Sequence, residues 1–321
     1  MIDSPASDHL HPDYEVVVCT HNGVPYLAAQ LDSILAQRPK PSRVIISDDG
    51  STDETHRLLA SYQAKHPDLI RVIAGPGEGI IKNVLFALTH TCAPYVFLAD
   101  QDDIWLEHKA RLFSEQMIVT SDPHLIFSDA WVWFPETHER QSFWKLDGLV
   151  PEHAYDPRKL AFHNCIQGAS VCINQALIAR IKPHPDIAMH DWWMGLIAAG
   201  EGRVSIIRTP TLLYRQHSAN QVGIQQGRRS GPWLARLRDK SEAARTVLLQ
   251  AKAYADCYAE ATNEEQKAFF TALSKALPSN LLKRLYFLLK WHPVRKDTRR
   301  TLTLWLSIAL LRCRSGKQPT P

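Results

Sequence analysis

No two of the six cysteines (Cys19, Cys92, Cys165, Cys172, Cys257 and Cys313) stand as C-x-x-C. Zinc-site spacing is therefore missing, and a disulfide framework is disfavoured. Reduced, mostly packed cysteines in a cytosolic protein are the expectation. The apolar stretch TLTLWLSIALL at 301–311 is only 11 residues long, against the roughly 20 that a membrane-spanning helix needs. No basic segment followed by an apolar run opens the chain, so no secretory signal is expected. Walker A is absent, which excludes a P-loop NTPase. Gly75-Pro76-Gly77-Glu78-Gly79 does not match G-x-G-x-x-G and reads as a turn. Asp48-Asp49-Gly50-Ser51-Thr52-Asp53 lacks the alternate acids and the distant Glu of an EF-hand. No internal repeat and no nucleic-acid-binding module is present, so a nucleic-acid partner is not expected.

What remains is ordinary globular material. The 321 residues are 45% apolar and 22% charged. They suffice for one large domain, or for a domain with an appendage. Residues 1–12 and the closing SGKQPTP read as loose ends. The net charge of +4 hides a split. Residues 1–226 hold 18 Lys/Arg and 26 Asp/Glu, a net of −8; residues 227–321 hold 19 and 7, a net of +12. The expected organisation is a flexible 1–12, a domain over 13–226 and a basic helical region over 227–321. A basic tail implies an anionic partner surface.

Strand and helix alternate four times in the first part. The β-branched run YEVVVCT (14–20) reads as a buried strand. Leu27, Leu31, Ile34 and Leu35 repeat at helical spacing over 24–37. Strands are expected at 43–47, 70–74 and 95–99, with helices over 55–66 and 80–90. Ser51 or Thr52 is placed to cap the second helix. Such alternation implies βαβ units and a mostly parallel sheet with helices on both faces. Further on, 124–133, 165–173, 203–208 and 211–216 read as strands, and 107–118 and 191–199 as helices. Beyond 227 the pattern is helical: 233–257, 264–277, 279–291 and 298–313.

In parallel sheets ligands bind at the carboxyl ends of the strands. Three polar loops fall there: Thr20-His21-Asn22, Asp48-Asp49-Gly50, and Asp100-Gln101-Asp102-Asp103. Asp100-Gln101-Asp102 is a D-x-D, which can hold Mg²⁺ or Mn²⁺ through carboxylate oxygens. The same residues also suit a solvated turn that caps a helix. The buried strand ahead and the second acidic loop favour the ion. Asp48 and Asp49 exceed what capping needs, and a carboxylate there can accept hydrogen bonds from a base or ribose. In Met189-His190-Asp191-Trp192-Trp193, apolar neighbours raise a carboxyl group toward general-base use. A helix-capping role for Asp191 is compatible with that. His217 is either a metal ligand, a phosphate contact or a satisfied structural histidine.

Taken together, VVVCTHNG (16–23), ISDDGSTDET (46–55), GIIKNVLFAL (79–88), FLADQDDIW (97–105), GASVCINQAL (168–177), HDWWMGLIAA (190–199) and LYRQHSANQVG (213–223) resemble family 2 glycosyltransferases of the GT-A (Rossmann-like) fold. DQDDIW, HDWW and YRQHxxN are most similar to the bacterial rhamnosyltransferase-like subgroup, which builds O-antigen and other surface polysaccharide. The resemblance implies a nucleotide pocket lined by Thr20, Asn22 and Asp49, with Asp49 facing the base. It implies Asp100 near ribose and sugar, Asp102 on a divalent metal that bridges the diphosphate, and Asp191 as the base for the acceptor hydroxyl. His217 is implied beside the metal or diphosphate. The chain departs from the pattern at His21, where the family often has Tyr or Phe.

The expected reaction is inverting transfer from a nucleotide-diphosphate sugar, with L-rhamnose suggested by the subgroup alone, to a growing glycan or lipid-linked acceptor. A metal on Asp102 would stabilise the leaving diphosphate. The rival readings are a silent nucleotide-sugar-binding subunit and a metal-dependent phosphodiesterase acting on the nucleotide sugar. The tail reads either as an amphipathic contact with an anionic membrane or as a helical cap or dimer contact. The expected location is cytoplasmic, with peripheral attachment to the inner face of the plasma membrane under the first alternative.

Overall fold

The structure, a computed structural model, describes residues 12–146, 148–217, 233–295 and 297–310, with the backbone alone for 233–241. The loose ends 1–11 and 311–321, Asn220 of the YRQHxxN pattern and the start of the tail at 227–232 lie outside the described residues. The chain begins β1 (Tyr14–Thr20), α1 (Val24–Leu35), β2 (Arg43–Asp48), α2 (Thr55–Lys65), β3 (Ile70–Ala74), α3 (Ile80–Leu88) and β4 (Tyr95–Asp100). It continues through β5 (Ile104–Trp105), α4 (Lys109–Ser114), β6 (His124–Ser128), β7 (Trp131–Phe134), β8 (Glu139–Ser142), α5 (Phe143–Leu146) and α6 (Pro157–Leu160). Next come β9 (Val171–Asn174), α7 (Gln175–Arg180), α8 (His190–Glu201), β10 (Arg203–Ile207) and β11 (Leu212–Arg215). The described residues end with α9 (Trp233–Tyr258), α10 (Glu264–Ala276), α11 (Leu281–Trp291) and α12 (Thr298–Ala309).

Seven strands form one sheet in the order β10-β6-β9-β4-β1-β2-β3. The pairs β1/β2, β1/β4 and β2/β3 are parallel, as the alternating pattern predicts. β9 runs antiparallel to both β4 and β6. All seven residues of β1 are buried, as expected for a central strand covered on both faces. Glu15 is the charged residue in that strand. Its carboxylate accepts the N–H groups of Cys92 and Ala93 and lies 3.6 Å from Arg43 Nε. A second sheet runs β5-β11-β7-β8.

Two expected strands are shorter than the pattern suggested. The stretch 124–133 divides at Asp129: β6 joins the large sheet and β7 the small one. Asp129 Oδ1 accepts the Ala130 N–H and Oδ2 accepts the Ser142 hydroxyl, so the chain turns there. The stretch 165–173 keeps only its end as β9, because Gly168–Ser170 form a 3₁₀ turn held by Ser170 Oγ on the Gln167 carbonyl.

The chain divides into two compact units. The first comprises Met1–Phe143, Gln167–Ala179 and Ser205–His217. The second comprises Trp144–Ile166, Arg180–Val204 and Ser218–Pro321. In the second, Asn263, Asn280 and Asp297 cap α10, α11 and α12 through their side chains. No helix among the described residues is long and apolar enough to cross a membrane.

Helix α1 fixes the loop after β4. Leu27, Leu31 and Ile34 are buried, and polar residues interleave with them. Gln30 Nε2 donates to the Asp100 carbonyl, and Ser33 Oγ accepts the Trp105 N–H. Gln37 Nε2 donates to the Leu106 carbonyl while its Oε1 accepts the Ala110 N–H. Gln37 is 1% exposed, so water cannot replace it. The Leu106 carbonyl keeps the Lys109 N–H, so Gln37→Ala strips the side-chain acceptor from one buried group, the Ala110 N–H, and is expected to lower the unfolding free energy by about 1–3 kcal/mol in urea titration. An unchanged midpoint would contradict this account of the loop.

Candidate active site at the carboxyl edge of the sheet

In the strand order, β1 sits between β4 on one side and β2 on the other. The chain leaves β1 toward β2 and later returns to β4, which is where open α/β sheets bind ligands. The loops that follow β1, β2, β3 and β4 are linked there by side chains. Asn22, at φ 51°, takes the left-handed conformation that Asn tolerates. Its Oδ1 accepts the N–H of Thr52 at 2.8 Å and of Asp53 at 3.3 Å, and its own N–H donates to Ser51 Oγ. Gln101 bridges the first and fourth loops: Oε1 accepts the His21 N–H and Nε2 donates to the His21 carbonyl.

The two acids after β2 have different tasks. Asp48 is buried and accepts from Thr20 Oγ1, Ser51 N and Ser51 Oγ. Burial works against its charge, but the bonds from Ser51 and Thr20 prevail and hold it below the usual carboxylate range. Asp49 is half-buried, and its two oxygens accept the N–H groups of Gly77 and Gly79. Gly75 is required at the same place. A Cβ there would stand 2.6 Å from Asn83 Oδ1 and 3.0 Å from both the Asp48 carbonyl and Asp49 Oδ1.

After β4, Asp102 and His217 meet although 115 residues separate them: His217 Nε2 lies 2.9 Å from Asp102 Oδ2. The imidazole stacks on Tyr26 at 4.4 Å. Arg215 Nε donates to the Asp102 carbonyl, and its guanidinium lies over the rings of Trp133 and Tyr26. Asp103 is fully buried. Its Oδ1 accepts the Arg215 N–H, and its Oδ2 has no hydrogen-bond partner among the described residues. Burial first, then Asp100 and Asp102, push its carboxyl well above the usual range. It therefore holds a proton to higher pH than an ordinary carboxyl. Lys109 is also fully buried, among Phe97, Trp105 and Phe113, and burial lowers it to about 7. Its ammonium donates to the Ala169 carbonyl and Thr211 Oγ1.

Asp191 belongs to the second unit. It lies in the first turn of α8, 1% exposed, and its Oδ1 accepts the Trp192 N–H. Burial raises its carboxyl to about 7, against the Trp192 N–H and the Asn164 side chain, which bond to its charged form. The indoles are anchored as well: Trp192 Nε1 donates to the Leu160 carbonyl and Trp193 Nε1 to the Lys182 carbonyl.

Residues 15–132 match the family model described as glycosyl transferase family 2. Over those residues the chain is similar to family 2 glycosyltransferases. It is similar to a dTDP-rhamnosyl transferase, RfbG, of Shigella flexneri, at 26% identity over 220 residues, 64% of this chain and 73% of the relative. An uncharacterized protein of Mycobacterium bovis is 26% identical over 215 residues, and the match spans 58% of its length. Among solved structures, residues 1–349 of Staphylococcus aureus TarS, in complex with UDP-GlcNAc, align with a TM-score of 0.54 at 14% identity. That alignment covers 92% of this chain and 79% of the other. The mannosyltransferase PcManGT of Pyrobaculum calidifontis, in complex with GDP-Man and Mn²⁺, aligns with a TM-score of 0.50 at 19% identity, covering 94% and 86%. These structures share the GT-A fold, and the enzyme class is glycosyltransferase.

Within this glycosyltransferase, Thr20, Asn22, Asp48, Asp49, Asp100, Asp102 and His217 lie in the first unit. Two local expectations are corrected. Neither Ser51 nor Thr52 caps α2: its N-cap is Glu54, without a side-chain bond, and Ser51 serves Asp48 instead. Asp191 does not cap α8, whose N-cap is Met189. Thr20 Oγ1 donates to Asp48 Oδ1 at 2.8 Å, which joins the ends of β1 and β2. Sequence reasoning passed over Gln101, Tyr26, Arg215 and Asn164. Gln101 is the middle of the D-x-D, and Arg215 stands two residues before His217, so motif position was the available signal.

Ser51→Ala is expected to cost about 1–3 kcal/mol at pH 7, because it strips the hydroxyl bond from a buried charged carboxylate while the backbone N–H bond stays. A depressed carboxyl stabilises the fold above its unfolded value and loses that effect as pH falls through the folded one. The deficit of the variant should therefore shrink toward pH 3, as read by urea titration at both pH values.

Proposed function

We propose that the protein transfers a sugar, with inversion, from a nucleotide-diphosphate donor to a growing glycan or lipid-linked acceptor in bacterial surface polysaccharide synthesis. L-rhamnose carried on dTDP is the proposed donor, supported by the similarity to the Shigella protein that bears that name. The observation that carries the reading is the Asp102–His217 contact at the strand edge, beside the Asn22 and Asp49 loops. On this reading the protein works in the cytoplasm, at the inner face of the plasma membrane.

No group of three or more His, Cys, Asp or Glu side chains is arranged to hold a metal among the described residues. One carboxylate and one imidazole nevertheless suit Mn²⁺, or Mg²⁺ with less use of the imidazole, when phosphate oxygens and water complete the coordination. Asp102 and His217 would hold the ion, which would neutralise charge on the leaving diphosphate. Asp49 faces the base, Asn22 shapes the pocket wall, and Asp100 is assigned to ribose and sugar. Asp191 accepts the proton of the attacking hydroxyl. A carboxyl raised to about 7 by burial is basic enough for that and still ionised in good part near neutral pH. One displacement by that hydroxyl inverts the anomeric centre.

The test is binding and turnover with dTDP-rhamnose, UDP-glucose, UDP-galactose and GDP-mannose, each with Mn²⁺, Mg²⁺ or EDTA. Asp102→Asn and His217→Ala should lose the metal-dependent part of donor binding. Asp191→Asn should keep donor binding and lose about 10²–10⁴-fold in transfer. Donor hydrolysis that ignores added acceptors would replace transfer with phosphodiester cleavage.

The pH profile supplies a separate check. Transfer needs the charged form of Asp191, so the acid limb should rise with pH and centre near 7. The Asn164 bond favours that charged form. Asn164→Ala should therefore move the limb to higher pH, and a downward shift would contradict the role given to Asp191.

A further inference from the structure

Helix α11 carries its apolar residues on two opposite sides. Phe287 and Leu288 are buried, with Arg284 beside them. Leu282 is 75% exposed, Tyr286 67% and Leu289 65%, and Leu281 and Leu285 are exposed as well. At 100° per residue these outward positions form one continuous arc, and Lys283 and Lys290 stand along its border. The next helix repeats the arrangement: Leu304 and Ile308 are buried, while Leu302, Leu306 and Leu310 are exposed. Helices of a globular protein turn their apolar stripe inward. A second stripe left in water marks a surface that meets something else.

Charge identifies the partner. Residues 281–310 hold seven Lys/Arg (Lys283, Arg284, Lys290, Arg295, Lys296, Arg299 and Arg300) and a single acid, Asp297. Asp297 is occupied as the cap of α12. Between α10 and α11 lies a groove of about 200 Å³ with Lys275, Lys283 and Lys290 around it, floored by Phe287 and Trp291. No acid lines it. The same face of a second copy would set like charge against like charge. An anionic bilayer offers phosphates to the lysines and acyl chains to the leucines.

We propose that the outward face of α11, with the lysine-ringed groove beside it and the leucine row of α12, docks the protein on the surface of an anionic phospholipid bilayer. The face lies flat on the lipid and does not span it. Leu282, Tyr286 and Leu289 enter the headgroup boundary, and Lys275, Lys283 and Lys290 engage lipid phosphates. The inference rests on this surface alone, and it gives the lipid-linked acceptor of the proposed function a physical meeting place.

The experiment is vesicle co-sedimentation of the full chain, with phosphatidylcholine alone and with phosphatidylcholine mixed with phosphatidylglycerol. The chain should bind the anionic vesicles, release at high salt and ignore the neutral ones. Leu282→Glu/Leu289→Glu should weaken anionic-vesicle binding at least about tenfold, and Lys283→Gln/Lys290→Gln should weaken it while leaving the apolar face intact. All four positions are exposed, so circular dichroism and melting should match the parent. Absence of vesicle binding by the parent chain, or unchanged binding by both variants, overturns the proposal. So does a parent chain that is dimeric in solution, binds no vesicles and becomes monomeric in the leucine variant, since the face then joins two copies. Binding is read without donor or acceptor, so its failure and that of the transferase reading are separable.

Discussion

Five carboxylates, Asp48, Asp49, Asp100, Asp102 and Asp103, crowd the ends of β2 and β4, on either side of the central strand β1. Like charges at such spacing raise one another's proton affinity and cost stability. The first unit treats most of them separately. Asp48 is surrounded by hydroxyls and an N–H, which keep it charged despite its burial. Asp49 is satisfied by two backbone N–H groups of the glycine turn. Asp103, fully buried with one oxygen unpartnered among the described residues, keeps a proton to higher pH than an ordinary carboxyl. Asp102 stands beside an imidazole.

The same bonds make the edge rigid. Gln30 and Ser33 of α1, with Gln37 just past its end, fix four backbone groups between residues 100 and 110. Gln101 ties that loop to His21, and Asn22 ties the first loop to the second. A ligand at this edge meets groups already oriented, so less ordering entropy is lost on binding. Lys109 contributes from below. Its ammonium joins the Ala169 carbonyl to Thr211, next to the strand that delivers His217, and it lies among three aromatic rings.

Much of this was legible in the sequence. The four βα alternations and the strand-end position of the acids came from period and turn residues, because buried parallel strands are continuous apolar runs. The meeting of Asp102 and His217 was suggested by motif resemblance alone, since no local pattern relates residues 115 positions apart. The polar half of α1 was hidden. Glutamine at helical spacing looks like solvent-facing surface until its partners in another loop are known. Ser51 shows the opposite failure. Its position invited a cap, but the neighbouring buried carboxylate was the stronger claimant for its hydroxyl. In the tail, the four helices followed from the helical pattern. The exposed leucine rows did not, because the residues that make an amphipathic helix are the same whichever side faces the core.

Two carboxylates with different proposed jobs sit in correspondingly different surroundings. The proposed ion ligand, Asp102, is partly exposed and lies 2.9 Å from a histidine nitrogen. Accepting a proton and releasing it again requires a carboxyl near neutrality, and that is served by burial, as at Asp191. Burial of Asp191 is not an isolated feature. The two indoles that follow it in sequence have their N–H groups fixed to the carbonyls of Leu160 and Lys182. Asn164 then sets how far burial prevails, since its bond to the charged form pulls in the opposite direction. Separating the environments of two acids in this way is how one protein maintains both a charged ligand and a titrating base at one pH.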